Sequence, residues 1–216
     1  MATRVAPAIY VLAGVNGAGK SSIGGAAIRE AGADYYNPDE AARTLRKSNP
    51  RLSHTEANAA AWLAGRLMLE RAIRERLDFA FETTLGANTM TRLLIGADAS
   101  GFAIHVWYAG LATPEQHIER VKARVRQGGH DISEADIRRE FQHSRLNLIR
   151  LLPHVASLRL FDNSYDADPS TGKTPLPRLV LYLQNGVVKN PADIAGTPEW
   201  AKPIVGAALK ALPAAR

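Results

Sequence analysis

The chain has 216 residues, of which 46% are hydrophobic and 22% charged, a composition that favours one globular α/β domain with a full core. It contains no cysteine, which excludes a disulfide framework and cysteine-based zinc sites, and no apolar run is long enough to span a membrane. The apolar segment near the N-terminus is too short for a signal peptide, so we expect a cytoplasmic protein.

The net charge of +6 arises from 27 basic and 21 acidic residues, and most of the basic residues are arginine. They concentrate between Arg120 and Arg150 without interleaved aromatic residues, and the chain has no nucleic-acid-binding motif. Arginine suits bidentate recognition of phosphate. We therefore expect small phosphorylated ligands rather than nucleic acid.

A glycine-rich loop follows the first predicted strand, Ala8 to Ala13, and precedes a predicted helix from Ser22 to Ala31. It matches the pattern G-x-x-x-x-G-K-[ST] without a mismatch, and its residues are Gly14, Val15, Asn16, Gly17, Ala18, Gly19, Lys20 and Ser21. The backbone N–H groups of such a loop surround phosphate oxygens at a helix N-terminus. We predict that the loop and Ser22 bind ATP, with Lys20 at the β- and γ-phosphates and Ser21 ligating Mg²⁺.

Two carboxylates lie at the junction of a second predicted strand, Ala33 to Asn37, and a helix that begins at Pro38. Ligands of parallel sheets bind at the carboxyl ends of the strands. Asp39 is therefore either a catalytic residue or a capping residue, and we favour the catalytic role. Glu40 is expected only to complement the helix dipole.

The third predicted strand, Phe79 to Thr84, follows a long helix with a capping box at Ser53, and it ends in an acid and two hydroxyls. Glu82 could hold Mg²⁺ through water, bind the substrate, or be a strand-end carboxylate with ordinary partners. We assign Glu82 to metal and substrate and Thr84 to substrate. A helix from Asn88 to Ala99 follows.

Two basic helices are predicted after the fourth strand, which runs from Ala103 to Ala109. Thr113 caps the first helix, Ser133 caps the second, and Gly128-Gly129 lies between them. Arg120 and Arg124 are four residues apart on one helix face. This layout favours a lid, approximately residues 113–152, that closes over the phosphates and brings arginines to the transferred group.

The C-terminal part adds a fifth strand, Ser157 to Asp162, after which Asn163 is predicted to face the nucleotide base. A β-hairpin forms around Asn185-Gly186, and Pro203 is expected to interrupt a final short helix. The prediction is a single domain, 1–216. Its fold is α/β, with a mainly parallel five-stranded sheet, flanking helices, a helical lid and a C-terminal hairpin.

The ordered set of motifs resembles the zeta-toxin family of P-loop kinases. The resemblance is carried by the loop from Gly14 to Ser21, Asn37-Pro38-Asp39, Phe81 to Thr84, Ile118-Glu119-Arg120 with Gly128 to His130, and Asp162 to Ser164. It implies a P-loop kinase fold that uses ATP and Mg²⁺, with Asp39 as base, Glu82 and Thr84 at the substrate, and Arg120 at the phosphates. It also implies UDP-N-acetylglucosamine as acceptor, on the sugar 3′-hydroxyl, and an antitoxin as partner.

The chain departs from the family where a second phosphate-binding arginine is expected, near Gly128 to His130. Arg124, Arg126 or Arg138 could replace it, and the sequence leaves the choice among them open. The chain is also too short to contain much of the extension that binds the sugar nucleotide in longer members of the family.

Our prediction is an ATP-dependent kinase of a small hydroxyl-bearing acceptor, with Asp39, Lys20, Arg120 and Arg124 as catalytic residues. The alternatives are a nucleotide-binding partner protein without such an acceptor, and a housekeeping kinase of another metabolite.

Overall fold

The computed structural model describes residues 6–20, 23, 35–129, 131–165, 176–190 and 194–211, and the statements below concern these residues. The strands are β1 (Ala8–Ala13), β2 (Tyr35–Tyr36), β3 (Phe79–Thr83), β4 (Ala103–Gly110), β5 (Ser157–Asp162), β6 (Arg178–Gln184) and β7 (Val187–Asn190). The helices are α1 (Pro38–Ser48), α2 (His54–Glu75), α3 (Asn88–Ala99), α4 (Pro114–Arg126), α5 (Glu134–Leu151) and α6 (Lys202–Ala211), with a 3₁₀ turn at Leu152–His154.

The strands form one sheet in the order β2-β3-β1-β4-β5-β6-β7. The first five in this order are parallel, as predicted, and β6 and β7 are antiparallel. The predicted count of five strands is wrong, because β6 pairs with β5 along its length and the hairpin extends the same sheet to seven strands. Asn185 (φ 48°) and Gly186 (φ 71°) form the predicted turn of that hairpin.

The central strand β1 is apolar because both faces of the sheet are covered. Ile9 and Val11 are completely buried, and β1 pairs with β3 on one side and β4 on the other. The main core continues through Leu94 of α3, Leu148 of α5 and Ile204 of α6. This packing fixes the carboxyl end of β1, from which the glycine-rich loop departs.

Helix starts follow the predicted capping signals. Ser53 and Glu56 form the predicted capping box, and the side chains of Thr113 and Ser133 accept hydrogen bonds from backbone N–H groups of α4 and α5. Pro203 does not interrupt the last helix. It lies in the first turn of α6, where its missing N–H has no intrahelical partner to lose.

The two basic helices α4 and α5 were predicted correctly, and they pack on the glycine-rich loop. Val15 of the loop forms a small buried cluster with Ile118 and Val121 of α4 and Ile137 of α5. The loop and the two helices therefore share one hydrophobic contact. None of the helices within the described ranges is long and apolar enough to cross a membrane.

Candidate active site

The glycine-rich loop leaves β1 beside the ends of β3 and β4. Gly14 has φ 138°, and a Cβ at this position would lie 2.3 Å from the carbonyl oxygen of Ala109. Gly17 and Gly19 also have positive φ, 84° and 78°. Glycine is required where the backbone adopts this conformation and approaches another chain segment closely. The loop is therefore held in a conformation that larger residues would not adopt.

Helix α4 packs directly on this loop. A Cβ on Gly17 would lie 2.7 Å from the carbonyl oxygen of His117 and 3.4 Å from Cβ of Arg120. The Nδ1 atom of His117 lies 2.8 Å from the backbone oxygen of Asn16, and the His117 side chain is buried. Burial, together with the nearby cations Lys20, Arg120 and Arg145, lowers the pKa of His117 to about 4. At neutral pH the imidazole is uncharged and donates its Nδ1 proton to Asn16.

Lys20 folds back over the loop, and its Nζ donates a hydrogen bond of 3.1 Å to the carbonyl oxygen of Gly14. This places an ammonium group inside the turn where phosphate binding was predicted. Ser21 and Ser22, the predicted metal ligand and its neighbour, lie outside the described residues, as do His130 and most of the predicted helix from 22 to 31.

Asn163, which was predicted to face the nucleotide base, lies against the loop. Its Nδ2 donates to the carbonyl oxygen of Ala18 at 2.9 Å, and its backbone N–H donates to Gly110 at 2.9 Å. Asn163 thus joins the ends of β4 and β5 to the loop.

The predicted acceptor-side residues Asp39, Glu82 and Thr84 line one cavity of about 440 Å³. Asn16 of the loop lines the same cavity, so the predicted phosphate and acceptor sites adjoin. Because β1 pairs with β3 in the register Ala13↔Thr83, the ends of these strands bring the two sites together. The lining also includes the aromatic residues Tyr36, Trp62 and Phe81.

Glu82 is buried and accepts hydrogen bonds from the hydroxyl of Tyr35 and from Nδ2 of Asn37, the latter at 3.1 Å. Asn37 is also the N-cap of α1, since its Oδ1 accepts from the backbone N–H groups of Asp39 and Glu40. One asparagine therefore fixes both Glu82 and the first turn that carries Asp39. This role of Asn37 was not predicted, although an asparagine before Pro38 is itself a capping signal.

Asp39 faces helix α4, part of the predicted lid, and its Oδ2 lies 3.4 Å from Nη1 of Arg124. Arg120, one turn earlier, donates to the carbonyl oxygen of Tyr165 at 3.4 Å. The other two candidates point elsewhere on the surface, since Arg126 is exposed and Arg138 pairs with Glu115 at 2.6 Å. Among these three arginines, Arg124 is therefore the one for which the structure shows a contact with a cavity residue, Asp39.

Glu140 of α5 lines the cavity and was not identified from the sequence. It follows Ile137 by three residues and precedes Ser144 by four, and both of these are buried, so it lies on the inward edge of the helix. A carboxylate at an inward position is the signal that could have found it. Among the described residues, no group of three or more His, Cys, Asp and Glu side chains is arranged to hold a metal ion.

Residues 9–146 of the chain match the model of a family described as an AAA domain. A protein of Haemophilus influenzae, named only as an uncharacterized protein, is 33% identical over 121 residues, which are 56% of this chain and 83% of that protein.

Two solved complexes contain chains of similar fold. The complex of AvrRxo1-ORF1 and -ORF2 with ATP matches with a TM-score of 0.64 and 17% identity, over 97% of this chain and 66% of that chain. The PezAT chromosomal toxin–antitoxin system of Streptococcus pneumoniae matches with a TM-score of 0.56 and 14% identity, over 74% of this chain and 68% of that chain. This chain therefore spans about two thirds of the matched chains.

At these identities the likeness concerns the fold alone. With the family match, it confirms the predicted α/β P-loop kinase-like fold with a mostly parallel sheet. The matched family is described as an AAA domain and not as a zeta toxin, so the more specific assignment stays a prediction.

Proposed function

The chain belongs to the AAA domain family, and we propose that it is a kinase that transfers the γ-phosphoryl group of ATP to a hydroxyl of a small molecule. The observation that carries this proposal is the cavity of about 440 Å³ that joins Asn16 of the loop to Asp39, Glu82 and Thr84. A protein that only binds and releases nucleotide does not need a carboxylate-lined cavity beside the phosphate site.

In the proposed reaction, the acceptor hydroxyl lies in the cavity and gives its proton to Asp39. The acceptor oxygen forms a bond to the γ-phosphorus, the bond between the γ-phosphorus and the bridging oxygen breaks, and ADP leaves with that electron pair. Lys20 and the loop amides hold the phosphates, while Arg120 and Arg124 neutralise charge on the transferred group.

Mg²⁺ is assigned to Ser21 and Glu82. A hydroxyl and a carboxylate are oxygen donors of the kind that Mg²⁺ takes, and it usually keeps several water ligands. Glu82 already accepts hydrogen bonds from Tyr35 and Asn37, which fits contact through water. When bound, the metal would supply neutralisation of phosphate charge.

The nucleotide sugar UDP-N-acetylglucosamine is the first acceptor to test, on the strength of the resemblance to zeta toxins. Purified protein is incubated with Mg²⁺·ATP and this compound, its 3-deoxy analogue, and a panel of sugars and polyols, and products are identified by mass spectrometry. We expect a phosphate ester with the parent compound and none with the 3-deoxy analogue. ADP formation that no acceptor accelerates would contradict the kinase assignment.

A toxin role is a second proposal. It is supported by the fold shared with chains from a toxin–antitoxin system and from the AvrRxo1 complex. If the acceptor is a cell-wall precursor, expression in bacteria should arrest growth and Asp39→Ala should relieve the arrest. Equal arrest by both proteins would contradict this route to toxicity, and an absence of arrest would favour a housekeeping kinase.

A further inference from the structure

Glu140 of α5 connects the two sides of the cavity. Its Oε2 accepts a hydrogen bond of 3.2 Å from Nδ2 of Asn16 in the loop, and its Oε1 accepts one of 3.4 Å from Oγ1 of Thr84 at the end of β3. Thr84 is held in turn, because its hydroxyl accepts from the N–H of Gly86 and its carbonyl oxygen accepts from Ser144 of α5.

The fit around Glu140 is close. A Cβ on Gly86 would lie 2.8 Å from Cγ of Glu140, so the chain beyond β3 approaches the side chain where only glycine leaves room. Burial raises the pKa of Glu140, against the opposing effects of Lys20 and of the hydrogen bonds from Asn16 and Thr84.

The charged groups around this carboxylate come from several elements. Lys20 of the loop is the nearby cation that favours its ionised form, and Asp136, one turn earlier on α5, disfavours that form. Asp39 of α1, Glu82 of β3 and Arg139 of α5 line the same cavity. His117 of α4 contacts Asn16 from the other side and is uncharged at neutral pH.

We infer that Glu140 is a positioning residue that links the glycine-rich loop to the end of β3, so that ATP and the acceptor are held in the relative orientation that phosphoryl transfer needs. The inference rests on the proposed function and deepens it. One carboxylate accepts two hydrogen bonds, one from Asn16 of the loop and one from Thr84 at the end of β3, and these bonds restrict the relative movement of the two segments. Since the same charge lies beside the phosphate site, nucleotide binding is expected to favour the protonated form of Glu140.

The link that Glu140 forms between the loop and the end of β3 is tested by amide hydrogen exchange on the ligand-free protein. In Glu140→Ala we expect exchange in the segments 14–20 and 84–86 to accelerate about fivefold or more. Glu140→Gln keeps the shape, and its amide can accept from Thr84 while it donates to the side-chain oxygen of a flipped Asn16, so exchange should stay within about twofold of wild type. The matched control is Glu134→Ala, which removes a carboxylate of the same helix that pairs with Lys122 outside this cavity. Unchanged exchange in Glu140→Ala, or equal acceleration throughout the sheet, would overturn the inference.

The charge is tested by the affinity for a non-hydrolysable ATP analogue, measured by calorimetry at pH 5.5 and pH 8.0. As pH rises from 5.5 to 8.0, the ionised Glu140 repels the nucleotide, so the affinity of the wild type should fall at least about threefold more than that of Glu140→Gln. Protonation of the nucleotide is common to both proteins and cancels in the comparison. Equal pH dependence would overturn the inference. Failure of the wild type to bind the analogue would instead contradict the proposed function. The exchange experiment distinguishes the two failures, because it tests the link formed by Glu140 in the absence of nucleotide.

Discussion

Arg124 of helix α4 lies 3.4 Å from Asp39, the predicted base, and thereby joins α4 to the first turn of α1. The two side chains retain 35% and 39% of their exposure, so the pair is screened by solvent and is worth only about 0–1 kcal/mol. An ion pair this weak can exchange partners. Arg124 is therefore expected to leave Asp39 for the γ-phosphate when ATP binds.

Replacement of the predicted base is expected to affect chemistry and not nucleotide binding. Asp39→Asn should lower kcat by about 10²- to 10⁴-fold, because the acceptor hydroxyl loses its proton acceptor, while ATP affinity stays within about twofold. Turnover and calorimetric ATP binding are measured for each variant, with the adjacent exposed Glu40→Gln as control. If Asp39→Asn loses ATP binding instead of turnover, Asp39 belongs to the metal site.

Of the arginines on helix α4 of the predicted lid, Arg120 is expected to contribute most to kcat. Its Cβ lies against Gly17 of the loop, whereas Arg124 contacts Asp39, so Arg120 is the one that packs on the phosphate site. Arg120→Ala should reduce kcat by about 10³- to 10⁵-fold, more than Asp39→Asn does. The exposed Arg126→Ala in the last turn of the same helix provides the control. A loss smaller for Arg120→Ala than for Arg126→Ala would remove Arg120 from the mechanism.

Lys20→Ala should abolish turnover while the fold is kept. The ammonium group donates a backbone hydrogen bond to Gly14 in this structure, and its proposed charge-assisted contacts to the β- and γ-phosphates would be lost in the variant. ADP production and thermal unfolding are compared with those of Lys202→Ala, a change on the exposed side of α6. A folded Lys20→Ala protein that consumes ATP at the wild-type rate would be incompatible with the kinase proposal.

His117 predicts a pH dependence of stability. Its pKa is about 4 in the folded protein and 6.5 in the unfolded chain, so the unfolded chain binds the proton first. The associated stability is present above pH 6.5 and is lost as pH falls towards 4, by up to about 3 kcal/mol. We expect the difference in unfolding free energy between wild type and His117→Gln to shrink over this range. The free energy of unfolding of each protein is measured by urea titration, and the contribution of carboxylate protonation is common to both and cancels in the difference. A difference that stays constant with pH would contradict the burial of a neutral His117.

Local patterns predicted most of the elements. The loop from Gly14 to Lys20 and the caps at Ser53, Thr113 and Ser133 depend on neighbouring residues only, and the structure places them as expected. The strand count failed because the pairing of β6 with β5 joins segments whose contact no local pattern specifies.

The site was predictable in part for the same reason. Asp39 follows β2 and Glu82 lies at the carboxyl end of β3, and topology brings these strand ends together, so their common cavity could be expected. Glu140 lies on a helix more than a hundred residues from the loop that it contacts, and its role depends on how α5 packs against β3. Such a contact follows from tertiary packing.

Transfer of the γ-phosphoryl group to an acceptor can be followed with labelled ATP. Wild type, Lys20→Ala and Asp39→Asn are incubated with γ-labelled ATP, Mg²⁺ and the acceptor panel, and the label in inorganic phosphate is separated from the label in organic phosphate ester. We predict that the wild type places label on one acceptor hydroxyl, that Lys20→Ala does not, and that Asp39→Asn does so about 10²- to 10⁴-fold more slowly. Label released by the wild type only as inorganic phosphate, with every acceptor, would contradict the proposed kinase activity.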